Sequence, residues 1–274
     1  MYKVALSSCG KEINGALFEQ YKQAGITAME IALTPEAYAT FDYAKAKALA
    51  DASEVELWSI HLPFYPFETL DISAVDQELR KKSVEYLAGI IRQAGSVGID
   101  KYVIHPSIEP IADEIRPEKM KAAKESLVEL AAVAKEYGGY LAVENLPRTC
   151  LGKCAAEMKE LVECAENLRV CFDTNHLLGE DFEVMFETVG DKMITVHISD
   201  YDFVDEKHWL PGEGKLDWQR MLKCFEKVDY QGVWLYEIGF DAPATLSRSR
   251  KLNCEDFARN AAELFAGKEL TRIE

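Results

Sequence analysis

The chain has 274 residues, 48% of them hydrophobic, and a formal net charge of −16 at neutral pH. That length suits one α/β barrel without a second domain, so residues 1–274 are expected to form a single unit. So acidic a chain repels polyanions and shows no local basic patch, which excludes nucleic acid and an anionic membrane surface as expected partners.

The first apolar run, within Met1–Cys9, is too short for a signal peptide and reads as a strand over Tyr2–Ser8. Strand-like runs recur at Ala28–Leu33, Glu54–His61, Lys101–His105, Tyr140–Asn145, Arg169–Asp173, Ile194–Ser199 and Val233–Ile238. Ala/Glu/Lys-rich stretches with three- and four-residue apolar spacing separate them, most clearly over Val75–Val97 and Glu118–Tyr137. Asp76 and Pro117 suit helix starts, and Gly98 and Gly138-Gly139 suit helix ends. Eight strand–helix alternations predict a parallel (β/α)8 TIM barrel. An open doubly wound sheet would carry a Gly-rich phosphate loop after its first strand, and Ser7-Ser8-Cys9-Gly10 is no such loop. No stretch reaches membrane-spanning length. The seven cysteines form no Cys-x-x-Cys pair, so free thiols in a reducing cytoplasm are expected. Cys171 reads as a small core residue, and Cys150 and Cys154 as free thiols rather than a metal pair.

Polar, metal-capable residues close six successive strands: His61, His105, Glu144, Asp173 with His176 three residues on, His197 and Glu237. His208 follows in the loop after the seventh. Each alone has an ordinary structural explanation, such as a capping carboxylate or a Glu144–Arg148 pair. Together they meet at the C-terminal face of the barrel, where such barrels keep their sites. Glu144, Asp173, His197 and Glu237 concentrate negative charge that needs a cation. One divalent ion is expected there; three carboxylates and an imidazole suit Mn²⁺, Co²⁺, Mg²⁺ or Zn²⁺, and no thiolate argues for zinc.

The set Glu144, Asp173-x-x-His176, His197 and Glu237 resembles the xylose isomerase-like TIM barrels. The stretch His208-Trp209-Leu210-Pro211-Gly212-Glu213-Gly214-Lys215-Leu216-Asp217-Trp218 is similar to the loop after strand seven in their sugar phosphate isomerase/epimerase branch. The resemblance covers essentially the whole chain. In ketohexose 3-epimerases the counterparts of the four residues hold one metal, usually Mn²⁺, the two glutamates move the proton, and the counterpart of His176 contacts substrate, so the resemblance implies Mn²⁺ first. This chain departs from them at Cys150, where they carry a further glutamate, and at Phe203, where they carry an arginine. It also resembles endonuclease IV, which holds three zinc ions with histidines equivalent to His61, His105, His176 and His208. Glu206 stands here for an aspartate of that enzyme. A second or third metal on His61, His105, His176, Glu206 and His208 is therefore an expectation of that resemblance.

The resemblance implies a metal-dependent isomerase or epimerase of a small sugar or polyol, working through a metal-stabilised ene-diolate. Glu144 and Glu237 would move the proton. His61, His105, His176 and His208 would hold substrate, with Phe64, Tyr65, Trp209 and Phe240 as an apolar wall. A related dehydratase or lyase, such as an inosose dehydratase, uses the same carbanion. A zinc-dependent endonuclease IV-like phosphodiesterase is the hydrolytic alternative, although three divalent ions would bring −16 only to about −10. With no phosphate loop, a free sugar is favoured over a sugar phosphate. A homo-oligomer is left open.

Overall fold

A computed structural model describes residues 2–273. Its strands are β1 (Val4–Ser7), β2 (Ala28–Ile31), β3 (Glu56–His61), β4 (Lys101–Ile104), β5 (Tyr140–Glu144), β6 (Leu168–Asp173), β7 (Met193–His197) and β8 (Trp234–Tyr236). Its helices are α1 (Gly15–Ala24), α2 (Pro35–Tyr38), α3 (Tyr43–Ala52), α4 (Gln77–Ser96), α5 (Arg116–Glu136), α6 (Ala155–Val162), α7 (Phe182–Val189), α8 (Trp218–Lys227) and α9 (Cys254–Phe265). The strands form one parallel sheet in the order β7-β6-β5-β4-β3-β2-β1-β8, the (β/α)8 barrel expected from the alternation.

The barrel closes between β7 and β8 at one bridge, Ile198 with Tyr236. Ile198 N–H donates to the Leu235 carbonyl (2.8 Å) and Glu237 N–H to the Ile198 carbonyl (3.3 Å). Both strands are therefore shorter than their apolar runs suggest, ending before Ser199 and Ile238. Glu237 sits one residue beyond its strand yet is still held by the seam.

Strand alternation sets the interior. Tyr102, Leu141, Val143, Phe172 and Trp234 face outward into the layer between strands and helices. Two small clusters fill the barrel: Ala5, Ala28, Val233 and Leu235 against Trp58, and Val103, Ala142 and Cys171 against Ile194. Two residues on from Ala28, Val103, Ala142, Cys171 and Leu235, the same faces carry Glu30, His105, Glu144, Asp173 and Glu237. The apolar layer is thus the floor on which the polar layer stands.

The helix signals hold. Asp76 caps α4, its carboxylate accepting from the amides of Glu78 (2.8 Å) and Leu79 (3.2 Å). Pro117 lies in the first turn of α5. Gly98 and Gly138 take the left-handed conformation that stops the two helices, at φ 88° and 68°. Among the described residues no helix is long and apolar enough to cross a membrane.

Helix α9 supports β8: Tyr236 Oη donates to Asn260 Oδ1 (2.9 Å), and Asn260 Nδ2 donates to the Pro211 carbonyl (2.9 Å). Its N-terminus is a reciprocal capping box between Asn253 and Asp256. Burial alone would raise the Asp256 carboxyl, but Arg250, the Asn253 amide and Arg259 outweigh it and hold its pKa at about 2. A depressed carboxyl stabilises the fold above its unfolded pKa near 3.9 and loses that contribution as pH falls through about 2. Because both arginines are half-exposed, Asp256→Asn is expected to cost about 1–2 kcal/mol at pH 7. Thermal melts should show a drop of a few degrees at pH 7 that vanishes near pH 2; a pH-independent difference would contradict the ionic origin.

Candidate metal centre

Six strand ends deliver side chains to the mouth, and four of them converge on one point. Glu144, Asp173, His197 and Glu237 each offer a ligand atom, and these atoms lie within 4.8 Å of one another. That spread suits a single ion with ligand distances of about 2.0–2.6 Å. His197 Nδ1 lies 3.3 Å from Glu144 Oε1, 3.8 Å from Asp173 Oδ2 and 3.5 Å from Glu237 Oε2. Three of these buried atoms, Glu144 Oε1, Asp173 Oδ2 and His197 Nδ1, have no hydrogen-bond partner among the described residues. Buried acceptors converging without donors are costly unless a cation completes them, so the donor set fits a divalent metal.

The surroundings fix each ligand. Asp173 is clamped by Asn145, whose Oδ1 accepts from the Asp173 amide (2.8 Å) and whose Nδ2 donates to the Asp173 carbonyl (3.0 Å). The Asn175 amide donates to Asp173 Oδ1 (2.6 Å), leaving Oδ2 free to face the centre. Burial raises the Asp173 and Glu237 carboxyls. Burial acts the same way on Glu144, but His197 and His105 outweigh it and hold that carboxyl well below its usual range.

The sequence reading missed Glu30. This carboxylate is fully buried at the end of β2. Its Oε1 accepts from His197 Nε2 (3.0 Å) and its Oε2 from the Ser59 hydroxyl (2.8 Å). Held on that side, His197 carries its proton on Nε2 and turns Nδ1 to the centre, the carboxylate–histidine arrangement that orients metal-binding imidazoles. Glu30 points inward in phase with Ala28, and a register shift in the β2–β3 pairing, with Trp58 as the extra residue of β3, sets Ser59 opposite it. The available signal was a lone acidic residue in the apolar run Ala28–Ile31, in phase with the barrel interior.

The remaining histidines border the same cavity of about 210 Å³, together with Glu144, Glu206 and Glu237. His61 Nδ1 donates to the Leu62 carbonyl (2.9 Å), while its Nε2 meets Glu144 Oε2 (3.2 Å). Burial opposes charge on His61, but Glu144 overcomes it and raises its pKa to about 9. His105 Nε2 lies 3.3 Å from the same oxygen. Phe64 stacks on the His105 ring at 4.1 Å, and burial pushes that imidazole down to about 4. His176 Nδ1 donates to the Asn145 carbonyl (2.9 Å), and its Nε2 meets Glu206 Oε2 (3.2 Å). His208 is half-exposed, with Nδ1 3.3 Å from the Glu237 carbonyl. Four further triads of ligand atoms arise, and two of them, His61/His105/Glu144 and His176/Glu206/His208, do not involve His197.

Some expectations change. Arg148 does not pair with Glu144. It binds Glu109, Asp205 and Glu206, tying together the loops after β4, β5 and β7. Trp209 and Phe240 do not line the cavities at the mouth. Trp209 pairs its backbone with Asp200 and its indole with Thr245, and Phe240 lies under the Lys11 ammonium. Phe64 and Tyr65 do line the mouth. Cys171 is a fully buried core residue, and all seven cysteines are free thiols.

Among known proteins, an uncharacterized protein of Methanocaldococcus jannaschii is 28% identical over 194 residues, covering 68% of this chain and 65% of that protein. An inosose isomerase of Bacillus licheniformis is 26% identical over 202 residues, covering 69% of each chain. A solved D-tagatose 3-epimerase-like protein superposes with a TM-score of 0.77 at 24% identity, over 86% of this chain and 90% of that one. A family model described as xylose isomerase-like TIM barrel matches residues 18–253. That match spans most of the sequence and includes every ligand of the candidate centre, so the chain belongs to the xylose isomerase-like TIM barrel family.

Proposed function

We propose that this protein is a divalent-metal-dependent isomerase or epimerase of a small sugar or polyol. The observation that carries this reading is the convergence of Glu144, Asp173, His197 and Glu237 on a buried point where three ligand atoms lack partners. The likeness to an inosose isomerase supports the same substrate class. Glu144, Asp173, His197 and Glu237 would hold the ion. A bound divalent cation supplies a Lewis acid for a substrate carbonyl and its neighbouring hydroxyl.

Glu144 and Glu237 come from β5 and β8 and so reach the mouth from different sides. One carboxylate removes the proton from the carbon beside the carbonyl. The other returns a proton, to the opposite face in an epimerisation or to the adjacent carbon in an isomerisation. The imidazoles of His61, His105, His176 and His208 border the same cavity and hold substrate hydroxyls. Glu144 and His197 are almost wholly buried, which keeps bulk water from the transferred proton.

The test is turnover in D₂O of a panel of ketoses, aldoses and inososes by the Mn²⁺-loaded protein. The expected product carries deuterium at the carbon where the proton was exchanged. An isomer formed without any solvent hydrogen would contradict proton transfer by the glutamates.

The triads His61/His105/Glu144 and His176/Glu206/His208 favour one second reading, a hydrolytic centre with two or three zinc ions. The charge of −16 opposes a DNA substrate. Elemental analysis of protein purified without added metal separates the two: one transition metal per chain supports the isomerase, while two or three zinc ions with phosphodiesterase activity on abasic DNA support hydrolysis.

A further inference from the structure

The mouth has two unlike halves. The cavity over the metal ligands holds about 210 Å³ and is lined mainly by histidine and carboxylate side chains. A second cavity of about 680 Å³ opens from it over the loops after β1, β2 and β3, and the two share His61, Phe64 and Glu237. Pockets of roughly 300–1,000 Å³ usually take drug-sized ligands, so this groove is larger than a lone monosaccharide needs. Its walls include Ile13, Leu33, Phe41, Pro63, Phe64 and Tyr65.

Lys11 and Tyr38, which line this groove, are already committed. All three protons of the Lys11 ammonium go to backbone carbonyls, those of Ser7 (2.9 Å), Cys9 (3.2 Å) and Ile238 (3.0 Å). The Tyr38 hydroxyl donates to the His61 carbonyl and accepts from the Leu33 amide (3.2 Å). Glu12 and Thr34 are exposed at the rim. Sugar hydroxyls buried here would give up water without gaining partners, at a cost an apolar group does not face.

From this contrast we infer that the substrate is a sugar or polyol bearing an apolar, best an aromatic, substituent. The hydroxyl-bearing part lies over the metal ligands and the substituent lies in the β1–β3 groove. Phe64 stands between the two halves, stacked on His105 on one side and edge-on to Tyr65 (5.1 Å) on the other. Tyr65, 40% exposed, forms the outer lip. An aromatic ring entering the groove would meet both side chains and Leu33. This inference rests on the sugar reading of the metal centre and narrows its substrate class.

The test is calorimetric titration of the Mn²⁺-loaded full chain with matched methyl and phenyl β-D-glycosides of glucose, galactose and xylose, and with benzyl alcohol. The expected result is at least tenfold tighter binding of the phenyl member of one pair or more. Leu33→Asn and Ile13→Asn, each with an unchanged thermal transition, should remove most of that gain and leave the methyl glycosides unaffected. Equal binding of every pair, no binding of any phenyl glycoside, or a gain that survives both substitutions would overturn the inference. Methyl glycosides that bind with no phenyl gain would sink the groove and leave the sugar reading standing. Benzyl alcohol binding as tightly as the phenyl glycosides would sink the sugar reading, and with it the substituted-sugar substrate, while leaving an apolar groove.

Discussion

Replacing Glu144 or Glu237 with glutamine is expected to lower turnover by about 10²–10⁴-fold, the usual weight of a general acid or base. The carboxamide keeps an oxygen able to ligate and nearly the same volume, but it cannot take up or release a proton. Glu144 has two tasks, with Oε1 facing the centre and Oε2 facing His61 and His105. In Glu144→Gln the amide nitrogen would choose one of those sides, and metal affinity should fall less than activity because Asp173 and His197 remain. Glu237 contacts fewer groups, so Glu237→Gln should separate proton transfer from ligation more cleanly. The readouts are kcat on the identified substrate and metal content of the same preparation. A glutamine variant with bound metal and full turnover would show that its glutamate is only a ligand.

The second large effect is expected at Glu30, which would touch neither metal nor substrate. Glu30→Ala should weaken Mn²⁺ binding about 10–100-fold, the range found when the partner of a ligating histidine is removed. The cause is the His197 tautomer. Without the Glu30 acceptor 3.0 Å from Nε2, the proton is free to settle on Nδ1, which then points a donor at three carboxylates in place of a lone pair. The lost buried, charge-assisted hydrogen bond should also cost about 1.5–3 kcal/mol of stability. Ser59→Ala is the control, since it removes only the bond to Glu30 Oε2 and leaves the other oxygen on His197. Unchanged metal affinity in a folded Glu30→Ala protein would show that packing alone orients the imidazole.

The sequence carried the site in its periodicities. Period-two alternation puts Ala142 and Glu144, Cys171 and Asp173, and Leu235 and Glu237 on the same inward faces, so apolar floor and polar mouth are written in consecutive odd or even positions. That is why the four candidate ligands and His61, His105 and His176 could be placed at one mouth from the strand ends. Glu30 obeys the same phase, but its run Ala28–Ile31 is short and carries no histidine to draw notice. The Arg148 cluster was out of reach for another reason. Its partners Glu109, Asp205 and Glu206 are 39, 57 and 58 residues away in loops whose paths no local pattern encodes. The early ends of β7 and β8 likewise follow from barrel closure, a tertiary condition that apolar runs do not reveal.

The central claim is a divalent cation held by the ends of β5, β6, β7 and β8. Its most direct test is calorimetric titration of EDTA-stripped protein with Mn²⁺, for the natural chain and for Asp173→Asn. Asp173 is the informative residue because the Asn175 amide holds its Oδ1 while its buried Oδ2 faces the centre without a hydrogen-bond partner. The predicted result is a tight site in the natural protein that is lost or weakened at least tenfold in the variant, with the fold intact by thermal melting. Absence of Mn²⁺, Zn²⁺ and Co²⁺ binding, or binding unaffected by Asp173→Asn, would contradict it.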